Sequence, residues 1–390
     1  MAETPLAGLR VLELARVLAG PWIGQTLADL GADVVKVEAP AGDETRGWGP
    51  PFAADGAAAY FHACNRGKRS IALDFAAEAD AAVARRLAAG AEVVIENFKV
   101  GGLVRFGLDH ASVAARNPGV VYASVTGFGQ DGPMAPRAGY DFVIQAMGGI
   151  MDLTGEPDGP PQKPGVAYAD LFTGLYGTVA VLAALRQRDR SGTGQWIDLS
   201  LFDTQLAVLA NQAANHLIGG SVPRRMGNAH PNIVPYQVFD AADGPLVVAC
   251  GNDGQFARLC AGLGLSLHDD PRYRTNRGRL AHRDTVVAAV AAGIGALSRA
   301  AVLERLAEAG VPAGAINTVA QAFAEPQALA RGAVVEVSGS RQPRSPIRFS
   351  DAATVAALPP PRLDEHGAAI RAALAAGDAW PALSPSAAPG

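Results

Sequence analysis

Asp170 stands where a carboxylate could do chemistry. It follows a loop rich in glycine and proline, through Gly148-Gly149, Thr154-Gly155 and Pro164-Gly165, and it opens a helix expected over about residues 170–188. A helix N-terminus favours the ionised carboxylate, which is the form a carboxylate nucleophile needs. Aspartate is also a preferred N-cap, so capping is the ordinary explanation for this residue. One oxygen cannot fully serve both uses.

Cations form the second pattern. Arg46 lies in Gly42-Asp-Glu-Thr-Arg-Gly-Trp48, and Lys68 and Arg69 lie in Asn65-Arg-Gly-Lys-Arg-Ser70. Small neighbours let a guanidinium and the backbone approach phosphate oxygens closely, although a solvated loop is the plainer reading. Arg16 sits at the first strand-to-helix junction, and Arg105 follows Asn97-Phe98-Lys99 and the pair Gly101-Gly102. Both junctions fall at the carboxyl edge of the expected sheet, the usual ligand side.

Other chemistries lack their residues. The first junction, Arg16-Val-Leu-Ala-Gly-Pro-Trp22, has no Gly-x-Gly-x-x-Gly, and Pro21 removes a donor from the helix end that would cradle a pyrophosphate. Glu38 alone is a weak imitation of a ribose-binding acid, so a nicotinamide dinucleotide is a poor expectation. The seven histidines show no His-x-x-x-His spacing, Cys64, Cys250 and Cys260 no Cys-x-x-Cys, and no metal site is expected. A serine nucleophile elbow is missing. His230, in the loop 227–232, has enough glycine and asparagine around it to meet a ligand, but a plain turn explains it as well.

The elements that must position these residues alternate. Strands are expected at 9–14, 32–38, 70–74, 92–96, 120–125 and 195–201, with helices at 20–30, 76–90 and 170–188 between them. This is an α/β fold, a doubly wound parallel sheet with right-handed crossovers. A single helix is expected over 204–218, then a hairpin around Asp243-Gly244 inside a smaller α/β domain at 225–325. The large domain would comprise 1–220 and 326–390, its tail packing back and fraying from Ser384.

Composition bounds the rest. The 390 residues are 49% hydrophobic and 18% charged, with 33 Lys+Arg against 37 Asp+Glu and only 3 Cys. That balance opposes a nucleic-acid binder and a disulfide-stapled secreted fold, and it points to the cytoplasm. The first residues lack a signal peptide's basic segment, and no apolar run is expected to span a bilayer.

Taken in order, Gly8-Leu-Arg-Val-Leu-Glu-Leu14, Ala19-Gly-Pro21, Gly31-Ala-Asp-Val-Val-Lys-Val-Glu38, Asn65-Arg-Gly-Lys-Arg-Ser70, Glu96-Asn-Phe98, Gly139-Tyr-Asp141 and the Asp170 segment resemble the class III coenzyme A transferases. The resemblance covers nearly the whole chain and implies that Asp170 is the nucleophile. It would attack an acyl-CoA thioester, pass through an aspartyl anhydride and an aspartyl-CoA thioester, and hand CoA to an acceptor carboxylate without metal or permanently bound cofactor. By the same resemblance, CoA would be lined by Val17, Leu18, Ala19, Leu73, Asp74, Asn97, Phe98, Lys99, Arg105, Gly139, Tyr140 and Asp141, its diphosphate left to Arg46, Lys68, Arg69 or Arg105, with Arg16 a further cofactor contact at the same edge. The loop 227–232 matches the one that shields the anhydride.

Two positions depart from the formyl-CoA branch, which has Gln at Leu18 and Arg at Ala39. The related racemases use a His where this chain has Tyr140, and a phenol is a poor base at neutral pH. A non-enzymatic binding module would have no need of the Asp170 segment. The runs Gly139-Tyr-Asp-Phe142, Lys163-Pro-Gly-Val-Ala167 and Thr173-Gly-Leu-Tyr176 are most similar to succinyl-CoA-dependent dicarboxylate transferases. The resemblance also implies an interlocked homodimer and small-molecule partners only, an acyl-CoA and a carboxylic acid.

Overall fold

In the computed structural model, residues 4–354 and 358–381 are described. The expected fraying from Ser384 lies outside them. Contacts divide the chain into two compact units, one of residues 1–150, 163–221 and 330–390, the other of 151–162 and 222–329.

The first unit runs β1 (Arg10–Glu13), α1 (Ala19–Asp29), β2 (Asp33–Glu38), α2 (Ala59–His62), β3 (Lys68–Ala72), α3 (Glu78–Gly90), β4 (Val93–Glu96), α4 (His110–Ala114), β5 (Val121–Thr126) and α5 (Asp141–Met147), then, after α6 (Ile150–Leu153), whose residues past Ile150 fall in the second unit, α7 (Tyr168–Ser191), β6 (Gln195–Ser200), α8 (Leu201–Ala207) and α9 (Ala210–Leu217). Its six strands pair in the order β3-β2-β1-β4-β5-β6, all parallel. Successive strand residues face opposite ways. Val11, Val34, Val93 and Val121 therefore pack on one side with Ile23 and Leu27 of α1 and Val181 of α7. Leu12, Val35, Val94 and Tyr122 pack on the other with Leu87 and Val113. Burying both faces is what makes near-continuous valine runs the right sequence for these strands.

α1 starts without a side-chain cap and carries Pro21 in its first turn, where a missing N–H costs little. It lies close on α7 because α7 offers glycines there: a Cβ on Gly177 would come within 2.4 Å of Ile23, and one on Gly174 within 2.9 Å of Trp22. By length and composition alone α7 could cross a membrane, contrary to the sequence expectation, yet half of its most apolar window is buried in the protein. The single helix expected over 204–218 is two, because Ala210 takes a left-handed φ of 48° that interrupts the ladder.

The second unit holds the antiparallel strands β7 (Tyr236–Ala241), β8 (Gly244–Ala249) and β9 (Ala313–Ala315). With them are the helices α10 (Asp253–Leu263), α11 (Asn276–Ala281), α12 (Arg283–Gly295), α13 (Arg299–Glu308), α14 (Val319–Ala324) and α15 (Pro326–Ala330). Residues 151–162, placed by the sequence in the large domain, belong here: Arg225 bonds the Asp152 carbonyl and carboxylate, and Gly227 N–H donates to Gly155 O at 3.1 Å. In the loop 227–232 the Arg283 guanidinium donates to His230 O at 2.9 Å and Pro231 O at 3.1 Å.

The tail adds the hairpin β10 (Val334–Val337) and β11 (Ser340–Pro343), then α16 (Gly367–Ala375), to the first unit. Arg66 reaches Gln342 and Pro343 O, and Asp364 and His366 accept from the backbone of Ala72 and Ser70.

Candidate active site

β1 lies between β2 and β4, so the chain reverses its winding direction there and leaves a crevice at the carboxyl ends of the strands. A cavity of about 420 Å³ fills it. Arg16 to Ala19 enter from the end of β1, Asn97 to Val100 and Arg105 from the end of β4, and Thr126, Gly127 and Arg137 to Tyr140 from beyond β5, with Asp170 on the wall. A second cavity of about 370 Å³ opens over the ends of β1, β2 and β3, lined by Ala39, Leu73 and Asp74. Arg16, Phe98, Arg105 and Phe106 line both. Phe75 stacks on Phe98 at 6.2 Å and lies 5.5 Å from Phe106, giving the shared wall an apolar shelf beneath the Arg105 guanidinium.

Asp170 is buried on the third residue of α7, not at its cap. The cap position is Ala167, whose methyl side chain cannot accept a hydrogen bond. Asp141 caps α7 from another helix instead: its Oδ1 accepts from Ala169 N at 2.9 Å and Asp170 N at 3.3 Å, while Gln145 Nε2 donates to its Oδ2 at 2.6 Å. The conflict between capping and nucleophilicity is thereby removed. Among the described residues nothing donates to the Asp170 carboxylate. Burial, and then the like charge of Asp141, push it up to about 7. Asp141 is itself raised by burial, against the hydrogen bonds it receives. Tyr60 shares this field, its hydroxyl raised by burial and by Asp170.

The carboxyl end of β4 is shaped by Glu96, whose Oε2 accepts from Phe98 N at 2.7 Å. Asn97 spends its amide on the facing loop, accepting from Arg16 N at 3.0 Å and donating to Arg16 O at 2.7 Å. Gly139 is required by close approach, since a Cβ there would lie 2.8 Å from Gly127 Cα. Tyr140 is exposed at the mouth.

The structure brings together Arg16, Val17, Leu18, Ala19, Asn97, Phe98, Lys99, Arg105, Gly139, Tyr140 and Asp170 in the first cavity, and Leu73 and Asp74 in the second. Four expected contacts are placed elsewhere. Arg46 gives two hydrogen bonds of 2.8 Å to Glu38 and one to Pro361 O, and covers Phe61. Lys68 is buried, 2.8 Å from Glu13, and Arg69 pairs with Asp33 at 2.7 Å. Such pairs hold no charge free for a phosphate. Asp141 lies behind Asp170 as its helix cap. Sequence reasoning missed Arg137, Phe75, Phe106 and Tyr60; Arg137 follows a proline in a loop after β5, a position with no motif to mark it.

The model of a family described as CoA-transferase family III matches residues 6–367. The chain is 52% identical over 384 residues to the succinate–glutarate CoA-transferase of Agrobacterium fabrum, covering 95% of this chain and 96% of that one. It is 43% identical over 369 residues to the succinyl-CoA:glutarate CoA-transferase of Mus musculus, covering 93% and 84%. Among solved structures, a CAIB/BAIF family protein from Brucella suis superposes with a TM-score of 0.86 at 58% identity, covering 95% of this chain and all of that one.

Proposed function

The chain belongs to CoA-transferase family III and is a CoA-transferase, and from that premise we propose that it carries CoA from succinyl-CoA to a dicarboxylate, with glutarate as the first acceptor to test. The relatives named above carry those substrates in their names, and the cleft suits them. Lys99, Arg105 and Arg137 are exposed cations on the cavity that holds Asp170. They can meet the phosphates of CoA and the distal carboxylate of a diacid.

The observation that carries the reading is a buried carboxylate that, among the described residues, receives no hydrogen bond and lies on the wall of a cavity. Asp170 attacks the thioester carbonyl of succinyl-CoA and expels CoA thiolate, leaving a mixed anhydride. The thiolate attacks the Asp170 carbonyl of that anhydride and frees succinate. The acceptor carboxylate then displaces CoA from the aspartyl thioester, and the thiolate takes the acceptor's acyl group, returning Asp170 as a carboxylate. Activation is conserved at each step, so the sequence consumes no nucleotide. Tyr140, in the place of the racemase histidine, leaves α-carbon racemisation without its second base.

The test is chemical trapping. Incubation with succinyl-CoA, quenching with hydroxylamine and peptide mapping should place the modification on Asp170. Modification elsewhere, or none during active turnover, overturns the assignment. Arg105→Ala should raise the KM for succinyl-CoA about tenfold, as expected for one charge-assisted contact, and weaken the salt dependence of KM. An unchanged KM would remove Arg105 from the CoA site.

We also place the active enzyme in the cytoplasm as an interlocked homodimer. Its three cysteines are free and buried. In the first unit, Val179 on α7 is 65% exposed, and Leu217 and Ile218 at the end of α9 are 80% and 87% exposed. Apolar side chains left out in this way are characteristic of interfaces. Light scattering should give twice the 40.0 kDa chain mass; a monomer retaining full activity contradicts the dimer, and recovery in a membrane or secreted fraction contradicts the compartment.

A further inference from the structure

Beneath the cleft lies a cluster of charge that the transfer chemistry does not use. Glu13, Lys36, Asp43 and Lys68 are all buried. Lys36 Nζ is 3.2 Å from Glu13 Oε1 and 3.0 Å from Asp43 Oδ2. Stability alone is a poor reason for such a cluster, because well-packed apolar residues often do as well.

What Asp43 holds supplies a better reason. Val17 has a φ of 72°, a left-handed conformation that β-branched residues avoid. Its N–H donates to Asp43 Oδ2 at 3.2 Å, and its carbonyl accepts from the Cys64 thiol at 3.5 Å. Arg16, one residue earlier, is clamped at both its N–H and its carbonyl by Asn97. The two residues lie in no strand or helix, so side chains supply the partners that a ladder would otherwise give. They lead straight into α1, whose N-cap Leu18 makes no side-chain capping bond. Leu18 and Ala19 then line the cavity beside Asp170.

We propose that Asp43 and Lys36 are positioning residues for acyl transfer: they lock Val17 in its left-handed conformation and so aim the Leu18 and Ala19 amides at the oxyanion that forms when the thioester carbonyl is attacked. This rests on Asp170 being the nucleophile. Both oxygens of Asp43 are needed. Oδ1 accepts from Thr45 N at 3.0 Å and Thr45 Oγ1 at 2.7 Å and, at 3.5 Å, from Val17 N, whose shorter bond of 3.2 Å goes to Oδ2, the oxygen that Lys36 also meets. Burial alone would lower Lys36, but Glu13 and Asp43 outweigh it and keep the ammonium charged. Burial would likewise raise Asp43, yet Lys36 and the Thr45 hydrogen bonds hold it ionised.

Asp43→Asn tests the idea, because an amide can accept on only one side and must give up either the shorter Val17 bond or the Thr45 bonds. In single-turnover reactions with succinyl-CoA, D43N should label Asp170 roughly 30-fold more slowly than wild type, short of the hundredfold typical of losing an oxyanion donor outright. Its KM for succinyl-CoA should change less than its kcat. Adding Val17→Gly, which adopts a left-handed φ without strain, should recover most of the lost rate. A folded D43N, by circular dichroism, that labels at the wild-type rate overturns the proposal, as does a D43N/V17G no faster than D43N. If D43N does not fold, Lys36→Met with Asp43→Asn removes both charges and carries the same two expectations. Failure of wild type to label Asp170 would overturn the nucleophile and this proposal with it, an outcome distinct from slow labelling of D43N alone.

Discussion

Replacing Asp170 by Asn should abolish CoA transfer and at the same time make the protein more stable. The first effect follows from chemistry. An amide is no nucleophile toward a thioester, and no other carboxylate lines the wall of that cavity among the described residues, so turnover should fall at least about 10⁴-fold, the scale of losing a covalent nucleophile. The second follows from where the carboxylate sits. Asp170 is buried, receives no hydrogen bond among the described residues and faces the charge of Asp141, which together move it from 3.8 to about 7. Its folded value is raised, so the stability of its protonated form is fully present below the unfolded value and is lost as pH rises through about 7. The neutral amide of D170N escapes that loss. The gain of D170N over wild type should be small near pH 4, grow at about 1.4 kcal/mol per pH unit, and level off above pH 7 at roughly 3–4 kcal/mol. The positive end of α7 works against the shift and trims this figure. Denaturation midpoints of the two proteins at pH 5 and pH 8 check the sign. Activity within tenfold of wild type would dispose of the mechanism, and a variant less stable at pH 8 would dispose of the electrostatic account.

The same residue shows what the sequence carries and what it withholds. Alternating valine runs and glycine stops are local signals, so the strands and their parallel direction are legible, and so is an acid at the start of the long helix. That Asp170 is free of capping duty is not, because the substitute cap, Asp141, comes from a residue 29 positions away. Cations mislead for the same reason. Lys68 and Arg69 sit beside glycine and asparagine as a phosphate site would have them, but the parallel register of β3 against β2 pairs Lys68 with Val34 and Arg69 with Val35. That register carries their side chains to Glu13 and Asp33. Arg46 meets Glu38 across a turn whose geometry no spacing rule contains. Arg105, which the sequence leaves without a packing role, lines both cavities. Charge position is legible in a sequence; charge pairing across a fold is not.

Below neutral pH, transfer should fall about tenfold for each unit, and Asp141→Asn should move that fall toward acid. In the proposed mechanism only the ionised Asp170 attacks, and with the group at about 7 some one per cent is ionised at pH 5, so kcat/KM there should be about 100-fold under its alkaline plateau. Glu96 also titrates in this range, raised to about 7 by burial, and it holds the Phe98 amide in the cleft wall. The two are separable. Asp141 bears on Asp170 but is not among the causes acting on Glu96. The amide of D141N keeps one oxygen for the Ala169 and Asp170 amides, so α7 remains capped, while the like charge that helped raise Asp170 is gone. The acid limb of D141N should therefore shift down, and its plateau should drop as well, because a less basic carboxylate is a weaker nucleophile. Glu96→Gln should leave the limb in place. If D141N keeps the wild-type limb and Glu96→Gln moves it, the titrating group is Glu96 and the nucleophile ionises at an ordinary value. If neither moves it, the fall belongs to the substrate. An amide at position 141 would still hold the helix end; in the proposed mechanism it is the charge crowding Asp170 that calls for an acid there.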